Sequence, residues 1–331
     1  MIFAKVYGNR NPRTLTENIR TISKSRDIEM PSLIIPQRLS PGDLVGVISP
    51  SGPVDEPELQ AGLDMIKSSG FEILKGTYLF CRKGYLAGDD EKRLKDLHAM
   101  FANRDIKAVF CTRGGYGTMR LLDRINYALI RENPKIIAGF SDITALLTAI
   151  HEKTGLITFH GPVLQGLTAG NRACFEGLIH TLTIGEPFNI SLGDGYAIVP
   201  GAATGHLTGG NLSLICSLIG TPYFPALRGA ILFIEEKGES LYRIDRMLTH
   251  LLLSGSLNGL AGVVAGEFTG CADMEDINGL LTDRISGLRI PVATGLSTGH
   301  GMENITLPIG LSAQLDSGSM TLSIKSACVT G

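Results

Sequence analysis

The sequence predicts an α/β protein: an N-terminal domain built on a mostly parallel sheet, followed by a C-terminal α/β domain. From residue 43 onward, apolar segments of strand length alternate with segments whose apolar residues have helical spacing. Apolar residues make up 44% of the 331 residues and charged residues 19%, a balance typical of a well-buried globular protein. A stretch rich in Gly, Ala and turn formers at 165–205 interrupts the alternation and indicates a domain boundary.

In the N-terminal domain, five strands are predicted, each separated from the next by a helix or a loop. The strands are "DLVGVIS", "FEILKG", "KAVFCT", "PKIIAG" and "LITFHGP". Apolar residues at helical spacing mark three helices: Leu59, Leu63 and Ile66, then Leu94, Leu97 and Phe101, then Ile143, Leu146, Leu147 and Ile150. Gly155 is predicted to end the third helix. A parallel sheet covered on both faces follows, and such sheets bind ligands at the carboxyl ends of their strands.

The C-terminal domain repeats the pattern with fewer helices. Its predicted elements are a helix in "NLSLICSLIGTP", a strand "GAILFIEE", a helix through Leu241, Ile244, Leu248 and Leu252, strands "GVVAGEF" and "PVATG", and a hairpin of "AQLD" and "MTLSI". The predicted organisation is therefore an N-terminal extension (1–40), a first domain (41–165), a linker (166–205) and a second domain (206–331).

Charge and cysteine usage exclude several classes of protein. The net charge of −2 gives no electrostatic case for binding nucleic acid or an anionic membrane, and no apolar run has membrane-spanning length. The six cysteines stand singly without a CxxC pair, which argues against a zinc site and favours a reducing compartment. Residues 1–40 hold seven basic residues against three acidic ones. We interpret them as a loosely ordered arm, with an organelle transit peptide as the alternative.

The segment "CTRGGYGT" at 111–118 follows a predicted strand directly. Its adjacent glycines, Gly114 and Gly115, allow backbone shapes that other residues resist, and they let a substrate approach backbone N–H groups. The spacing is not that of a phosphate-binding P-loop, because no GK[ST] follows. An ordinary strand-to-helix turn is the alternative interpretation.

The segment "IIAGFSDITALL" at 136–147 passes from a strand to a helix through Ser141 and Asp142. Ser141 is either the N-cap of the helix or a nucleophile raised on a tight turn, with a backbone N–H behind it for an oxyanion. Asp142 suits the positive end of the helix dipole. The residues alone favour the N-cap and leave the nucleophile open.

A serine nucleophile needs a base and an acid. His300 follows the predicted strand "PVATG" in a polar loop, whereas His98, His151 and His250 fall within predicted helices. Acids at strand ends are Glu235, Glu236 and Glu267. The order Ser, Glu, His is one of the known chain orders of catalytic triads.

Six motifs together resemble the L,D-carboxypeptidase family of serine peptidases, which includes the microcin C self-immunity peptidases. The motifs are "RGGYGTMRLL", "GFSDITALL", "TFHGP", "GGNLSLICSLIGTP", "ILFIEEKGESLYRIDRML" and "GLSTGHGMENITLPIG". They run in the family's order, and the resemblance covers the chain from about residue 43 to its end.

The resemblance implies a Ser141–Glu235–His300 triad in a site between the two domains, without metal or cofactor. It implies an oxyanion hole formed by the N–H of Asp142 and one N–H of the Gly114–Gly115 loop, and it implies a homodimer. For the substrate it implies a murein tetrapeptide, cut before its terminal D-alanine in the cytoplasm. Arg113 and Arg243 are the arginines nearest to this site in sequence, and either is a candidate to bind the substrate's free carboxylate. The alternative is a structural role, in which Arg113 braces its loop and Arg243 pairs with a carboxylate across its helix face.

Three alternatives to this function differ in class. A microcin C immunity activity would cleave peptidyl or aminoacyl nucleotides, and the absence of Trp, a favoured platform for a base, argues against it. Tyr116, Tyr196 or Tyr223 could take that role. A catalytically silent module that binds cell-wall peptides is disfavoured, because residues of all three triad types are present. A Rossmann-type enzyme is disfavoured because no GxGxxG follows a strand.

Overall fold

The computed structural model describes residues 31–331, and within this range it has the predicted α/β class with two sheets. The first sheet contains β1 Leu44–Ile48, β2 Glu72–Lys75, β3 Ile106–Cys111, β4 Ile136–Gly139, β5 Thr158–His160 and β12 Leu307–Ile309. The second contains β6 Phe188–Ser191, β7 Ala197–Val199, β8 Ala202–Asn211, β9 Ala230–Lys237, β10 Gly262–Thr269, β11 Val292–Thr294, β13 Ser312–Asp316 and β14 Thr321–Ile324. The helices are α1 Glu56–Ser68, α2 Asp90–Ala102, α3 Tyr127–Glu132, α4 Ile143–Thr154, α5 Arg172–Thr183, α6 Leu212–Leu218, α7 Leu241–Leu253 and α8 Met274–Ile285.

The first sheet has the strand order β12-β5-β4-β3-β1-β2, and β1 to β5 run parallel. Strands β3 and β4 are almost entirely buried, which explains their continuous apolar sequences. Because β1, β3 and β4 are neighbours, the loops that follow their carboxyl ends meet at one edge of the sheet. These loops hold Ser51, the glycine pair Gly114–Gly115, and Ser141.

The second sheet is mixed, with the order β6-β14-β13-β8-β9-β10-β11-β7 and a parallel centre from β8 to β11. Strand β9 lies beside β8, where Glu235 is in register with Asn211. The N–H of Asn211 donates to Thr144 Oγ1 of helix α4 at 3.1 Å. This contact brings the end of β9 close to the turn that precedes α4.

The two sheets are joined by more than chain connectivity. The chain leaves β11 of the second sheet and returns to the first as β12, which pairs antiparallel with β5. A single buried apolar cluster also includes residues of both sheets, among them Phe159 and Phe233. The loop that contains His300 lies between β11 and β12, so both sheets anchor it.

Several expectations need revision or addition. The segment 166–205, predicted as a linker, contains helix α5, strands β6 and β7 and the start of β8. Of the predicted extension, residues 31–40 are packed rather than loose: Ile34 N–H donates to Gly155 O at 2.8 Å, and Leu39 is buried. The expectation for residues 1–30 lies outside the described residues. The domain limits themselves stay predictions.

Candidate active site

Ser141 occupies a strained turn between β4 and α4. Its φ of 65° is in the left-handed region, where a residue other than glycine costs roughly 1–3 kcal/mol. The helix that follows has Asp142, not Ser141, at its N-cap position, and no side chain caps it. The Ser141 hydroxyl accepts no hydrogen bond from the first turn of α4, so Ser141 provides no side-chain cap. Strain of this kind persists where the surrounding structure enforces it, and it points to a functional residue.

The glycine loop lies directly against Ser141. A Cβ on Gly114 would come within 2.8 Å of Ser141 Oγ and 3.5 Å of the backbone N of Asp142, so only glycine fits. Gly115 has a φ of 124°, which also favours glycine. Among residues 31–331, the N–H groups of Gly114, Gly115 and Asp142 donate to no protein acceptor. The glycine loop and the residue after the serine thus carry three backbone donors without a protein acceptor.

His300 and Glu235 form a hydrogen-bonded pair. His300 Nδ1 lies 2.7 Å from Glu235 Oε2, and the Glu235 side chain is completely buried. Burial raises the pKa of Glu235, and the hydrogen bond from His300 opposes that rise. Gly299, with a φ of 120°, lets the loop approach, because a Cβ there would lie 2.8 Å from the same carboxylate oxygen.

The imidazole of His300 contacts the ring of Phe140, the residue before Ser141. The rings of Phe140 and His300 lie 4.7 Å apart, and Phe140 precedes Ser141 directly. His160 packs edge-on against Phe140 and Phe233 from the buried side. Burial and the nearby His300 lower the pKa of His160 to about 3, so His160 is neutral and poorly suited to act as a base. Within the described residues, no hydrogen bond joins the Ser141 hydroxyl to His300.

The structure brings together most of the residues singled out from the sequence. Ser141, Gly114, Gly115 and the backbone of Asp142 form one cluster, and His300 with Glu235 adjoins it through Phe140. Arg113 belongs to the glycine loop, where its guanidinium donates to two backbone carbonyls: Nε to Gly114 O at 3.3 Å and Nη1 to Pro53 O at 3.0 Å.

Arg243 has different surroundings. Its guanidinium pairs with Glu239 at 3.1 Å, and it lines a cavity of about 280 Å³ with Ser213 and Met247. None of the residues lining that cavity belongs to the cluster around Ser141. The structure thus connects Arg113, but not Arg243, to the candidate site.

Sequence reasoning missed four residues of the site. They are Ser51, Thr118, Phe140 and His160. Phe140 and His160 lie inside motifs that carried the family resemblance, but no pattern in the sequence gives them a role. Ser51 and Thr118 are ordinary loop hydroxyls until the fold brings them to Asp142.

No group of three or more His, Cys, Asp or Glu side chains within residues 31–331 has an arrangement suited to holding a metal ion. In the same range, no helix has both the length and the apolar character needed to cross a membrane.

Comparison with known proteins decides the family. Residues 45–161 match the model of the LD-carboxypeptidase N-terminal domain, and residues 204–315 match that of the LD-carboxypeptidase C-terminal domain. The chain belongs to the LD-carboxypeptidase family. It is accordingly a peptidase, of the serine type that this family represents.

This chain matches several named proteins over nearly the whole length of each. A probable murein peptide carboxypeptidase of Bacillus subtilis is 39% identical, over 89% of this chain and 96% of the relative. A murein tetrapeptide carboxypeptidase of Pseudomonas aeruginosa is 34% identical, over 82% and 92%. Among solved structures, MccF in complex with glutamyl sulfamoyl guanosine superimposes with a TM-score of 0.83 at 27% identity, covering 89% of this chain and 99% of the other. The family thereby supports carboxypeptidase activity.

Proposed function

We propose that this LD-carboxypeptidase hydrolyses the amide bond before the terminal D-amino acid of murein tetrapeptides, with Ser141, His300 and Glu235 as its catalytic triad. The observation that carries the proposal is the 2.7 Å His300–Glu235 pair, whose imidazole contacts Phe140 next to a serine held at a φ of 65°. The names of the B. subtilis and P. aeruginosa relatives support the substrate class.

Each group has a role that its position suits. His300 Nε2 takes the proton of the Ser141 hydroxyl as the oxygen attacks the scissile carbonyl carbon, and later gives it to the departing amine. Nδ1–H of His300 donates to Glu235, which fixes the tautomer and stabilises the imidazolium. Water, activated by the same imidazole, then hydrolyses the acyl-serine. The missing Ser141–His300 hydrogen bond is expected to form with substrate, as such bonds often tighten only in the complex.

The free N–H groups beside Ser141 form the proposed oxyanion hole. The N–H of Asp142 and one N–H of the Gly114–Gly115 loop donate to the negative oxygen of the tetrahedral intermediate. Preorganised donors of this kind need no rearrangement during the reaction, and loss of one typically costs about 10²–10³ in turnover.

Arg113 is the proposed binding group for the terminal carboxylate. It lines a cleft of about 650 Å³ beside Gly115 together with Arg82, Tyr85 and Tyr116. Arg82 pairs with Asp55, whereas no carboxylate of residues 31–331 forms an ion pair with Arg113. The charge of Arg113 is thus available to an anionic group of the substrate.

Hydrolysis of peptidyl or aminoacyl nucleotides is the second candidate function. It is favoured by the similarity to MccF, and by the exposed rings of Tyr85 and Tyr116, whose centroids lie 5.8 Å apart at the cleft. Tyr223 is a poorer platform, because it already stacks with Tyr127. The higher identity to the murein peptidases favours the first candidate. Homodimer formation and a cytoplasmic location remain predictions from the family resemblance.

The decisive experiment incubates the purified protein with a murein tetrapeptide and, separately, with an aminoacyl-sulfamoyl adenosine. We expect release of the terminal D-amino acid from the tetrapeptide, and a loss of about 10³-fold or more in Ser141→Ala, because the nucleophile is gone. Circular dichroism checks that the variant is folded. Near-normal turnover by Ser141→Ala would rule out the triad, and cleavage of the nucleotide analogue alone would establish the second candidate.

A further inference from the structure

The side chain of Asp142 is used in an unusual way for a residue at a helix N-cap. An aspartate there ordinarily accepts a hydrogen bond from the second or third N–H of its own helix. In this protein the carboxylate makes no such bond, and Asp142 as a whole is buried. Its Oδ2 instead accepts from Ser51 Oγ at 2.6 Å and from the N–H of Thr118 at 2.9 Å. The Asp142 carboxylate thus binds residues outside helix α4 and does not cap the helix.

These contacts join three loops of the active-site edge. Ser51 follows β1, Thr118 ends the glycine loop after β3, and Asp142 follows β4. Thr118 also returns a bond, since its Oγ1 donates to the carbonyl oxygen of Asp142 at 2.6 Å. Ser51 and Thr118 are completely buried, so water does not compete for these bonds. We call Ser51, Thr118 and Asp142 the loop clamp.

The loop clamp acts on the residue directly after the strained serine. The bonds to its carboxylate and to its carbonyl oxygen restrain Asp142 on both sides of its Cα. Through that Cα they also restrain the preceding peptide unit, which carries the Asp142 N–H and joins it to the left-handed Ser141. Thr118 belongs to the same loop as Gly114, so the clamp also sets the distance between the two sides of the oxyanion hole.

We infer that the Asp142 side chain is a positioning residue, which holds Ser141 and the oxyanion donors in their reactive geometry through Ser51 and Thr118. The inference rests on the proposed role of Ser141 as nucleophile, and it gives the Asp142 side chain a role separate from that of its backbone N–H. Geometry, and not charge, is the contribution: a negative charge this close to the oxyanion opposes its formation.

Replacing Asp142 with asparagine separates the contribution of its hydrogen bonds from that of its charge. Both donors of the clamp bind the same oxygen, Oδ2, and an amide oxygen can accept both. The amide nitrogen would then replace Oδ1, which has no partner among the described residues. Asp142→Asn therefore keeps the clamp and removes the charge, whereas Asp142→Ala removes both.

A matched control is Asp96, another buried aspartate that accepts a loop N–H. Its Oδ2 accepts from the N–H of Tyr78 at 3.0 Å, and it has no hydrogen bond to the clamp or to Ser141. Asp96→Ala should lower the thermal unfolding midpoint and leave kcat and KM within about twofold of wild type, because lost loop packing alone does not move the serine.

The experiment measures kcat and KM for the tetrapeptide, and the rate at which a fluorophosphonate labels Ser141. Asp142→Ala should lose about 10²-fold in kcat and in labelling rate with KM nearly unchanged, the effect of a misplaced reacting group. Asp142→Asn should keep kcat within about tenfold of wild type, since its hydrogen bonds remain. If Asp142→Ala does not fold, the double variant Ser51→Ala/Thr118→Val replaces it. This variant removes the two hydroxyl bonds and keeps the bond from the Thr118 N–H, so kcat and the labelling rate should fall together by a smaller factor, about tenfold, with KM nearly unchanged.

Three results would overturn the inference: wild-type kcat in Asp142→Ala, a rise in KM alone, or an Asp142→Asn variant as slow as Asp142→Ala. The last would assign the effect to charge. Ser141→Ala, measured in parallel, keeps the proposed function separate. If Ser141→Ala is inactive and Asp142→Ala is fully active, the clamp fails alone. If Ser141→Ala is active, the proposed function itself fails.

Discussion

Two neighbouring glutamates illustrate how a strand divides its residues between chemistry and structure. Successive side chains of β9 point to opposite faces, so Glu235 and Glu236 cannot share one environment. Glu235 bonds to His300, whereas Glu236 accepts from Asn211 Nδ2 at 3.0 Å and from the N–H and hydroxyl of Ser213 at 2.8 and 2.7 Å. Glu236 therefore stabilises the start of helix α6.

This division predicts opposite effects for the same substitution. Glu235→Gln should lower kcat by about 10³–10⁴, because the imidazole loses its orienting acceptor. Glu236→Gln should retain turnover and cost roughly 1–3 kcal/mol of unfolding free energy, since one amide group cannot replace both acceptor oxygens. Steady-state kinetics and urea unfolding of the pair check this. A silent Glu235→Gln beside an inactive Glu236→Gln would show that the roles are reversed.

Carboxylate recognition by Arg113 also makes a residue-scale prediction. Wild type should prefer a tetrapeptide with a free terminal carboxylate over its C-terminal amide. Arg113→Lys should reduce that preference, because lysine keeps the charge but loses the planar fork of donors. Arg82→Lys is the matched control, since it lines the same cleft but pairs with Asp55. Equal cleavage of acid and amide by wild type would contradict carboxylate recognition and favour the nucleotide substrate.

At the scale of elements, the strands and helices predicted from the sequence agree best with the structure where apolar residues are regularly spaced. The strands β1 to β5 and β9 to β11 were all expected, as were helix α4 and its end at Gly155, whose φ is 77°. These segments are buried on one or both faces, so burial and sequence pattern agree. The left-handed glycine likewise has a local cause that the sequence reveals.

The elements that were missed are short, half-exposed or rich in glycine. Strand β7 has three residues, all partly exposed, and β6 has one buried residue, so neither shows an apolar alternation. Helix α5 buries Phe175, Leu178 and Leu182 at helical spacing, but glycines within and before it hide the pattern. The positions of β6 and β7 in the sheet come from their pairing with β14 and β11, which local sequence does not encode.

The candidate site likewise contains residues that the sequence predicted and residues that it did not. The motifs of the family resemblance pointed to Ser141, Glu235 and His300, because each lies in a distinctive short motif. The loop clamp was not predictable, because Ser51 and Asp142 are 91 residues apart and have no pattern in common. Strand order, not spacing along the chain, creates the contact.

At the scale of the whole molecule, the site depends on both sheets at once. Ser141 belongs to the first sheet and Glu235 to the second, and His300 lies on the connection between them. His160 is buried in the same region, at the end of β5, where β12 pairs with it. Its ionisation therefore affects a central part of the fold and not only one surface.

The low pKa of His160 makes the stability of the protein depend on pH. The unfolded histidine has a pKa near 6.5 and binds a proton below it, whereas the folded one, with a pKa of about 3, does not. The contribution of this histidine to stability is therefore complete above pH 6.5 and is lost as the pH falls toward 3. Burial also lowers the pKa of His151, which acts in the same direction.

The expected loss from His160 between pH 7.5 and pH 5 is about 2 kcal/mol of unfolding free energy, from 1.5 pH units below the unfolded pKa. Buried carboxyl groups oppose this loss. Burial raises the pKa of Glu152 and Glu235, so the folded state gains protons as the pH falls toward 4.5.

His160→Gln removes only the histidine contribution, so its unfolding free energy should fall less between the two pH values than that of wild type. His180→Gln, at an exposed position of α5, is the control and should follow wild type. Urea unfolding at pH 7.5 and pH 5 measures this change in unfolding free energy. An equal change in wild type and His160→Gln would show that His160 is not kept neutral by the fold.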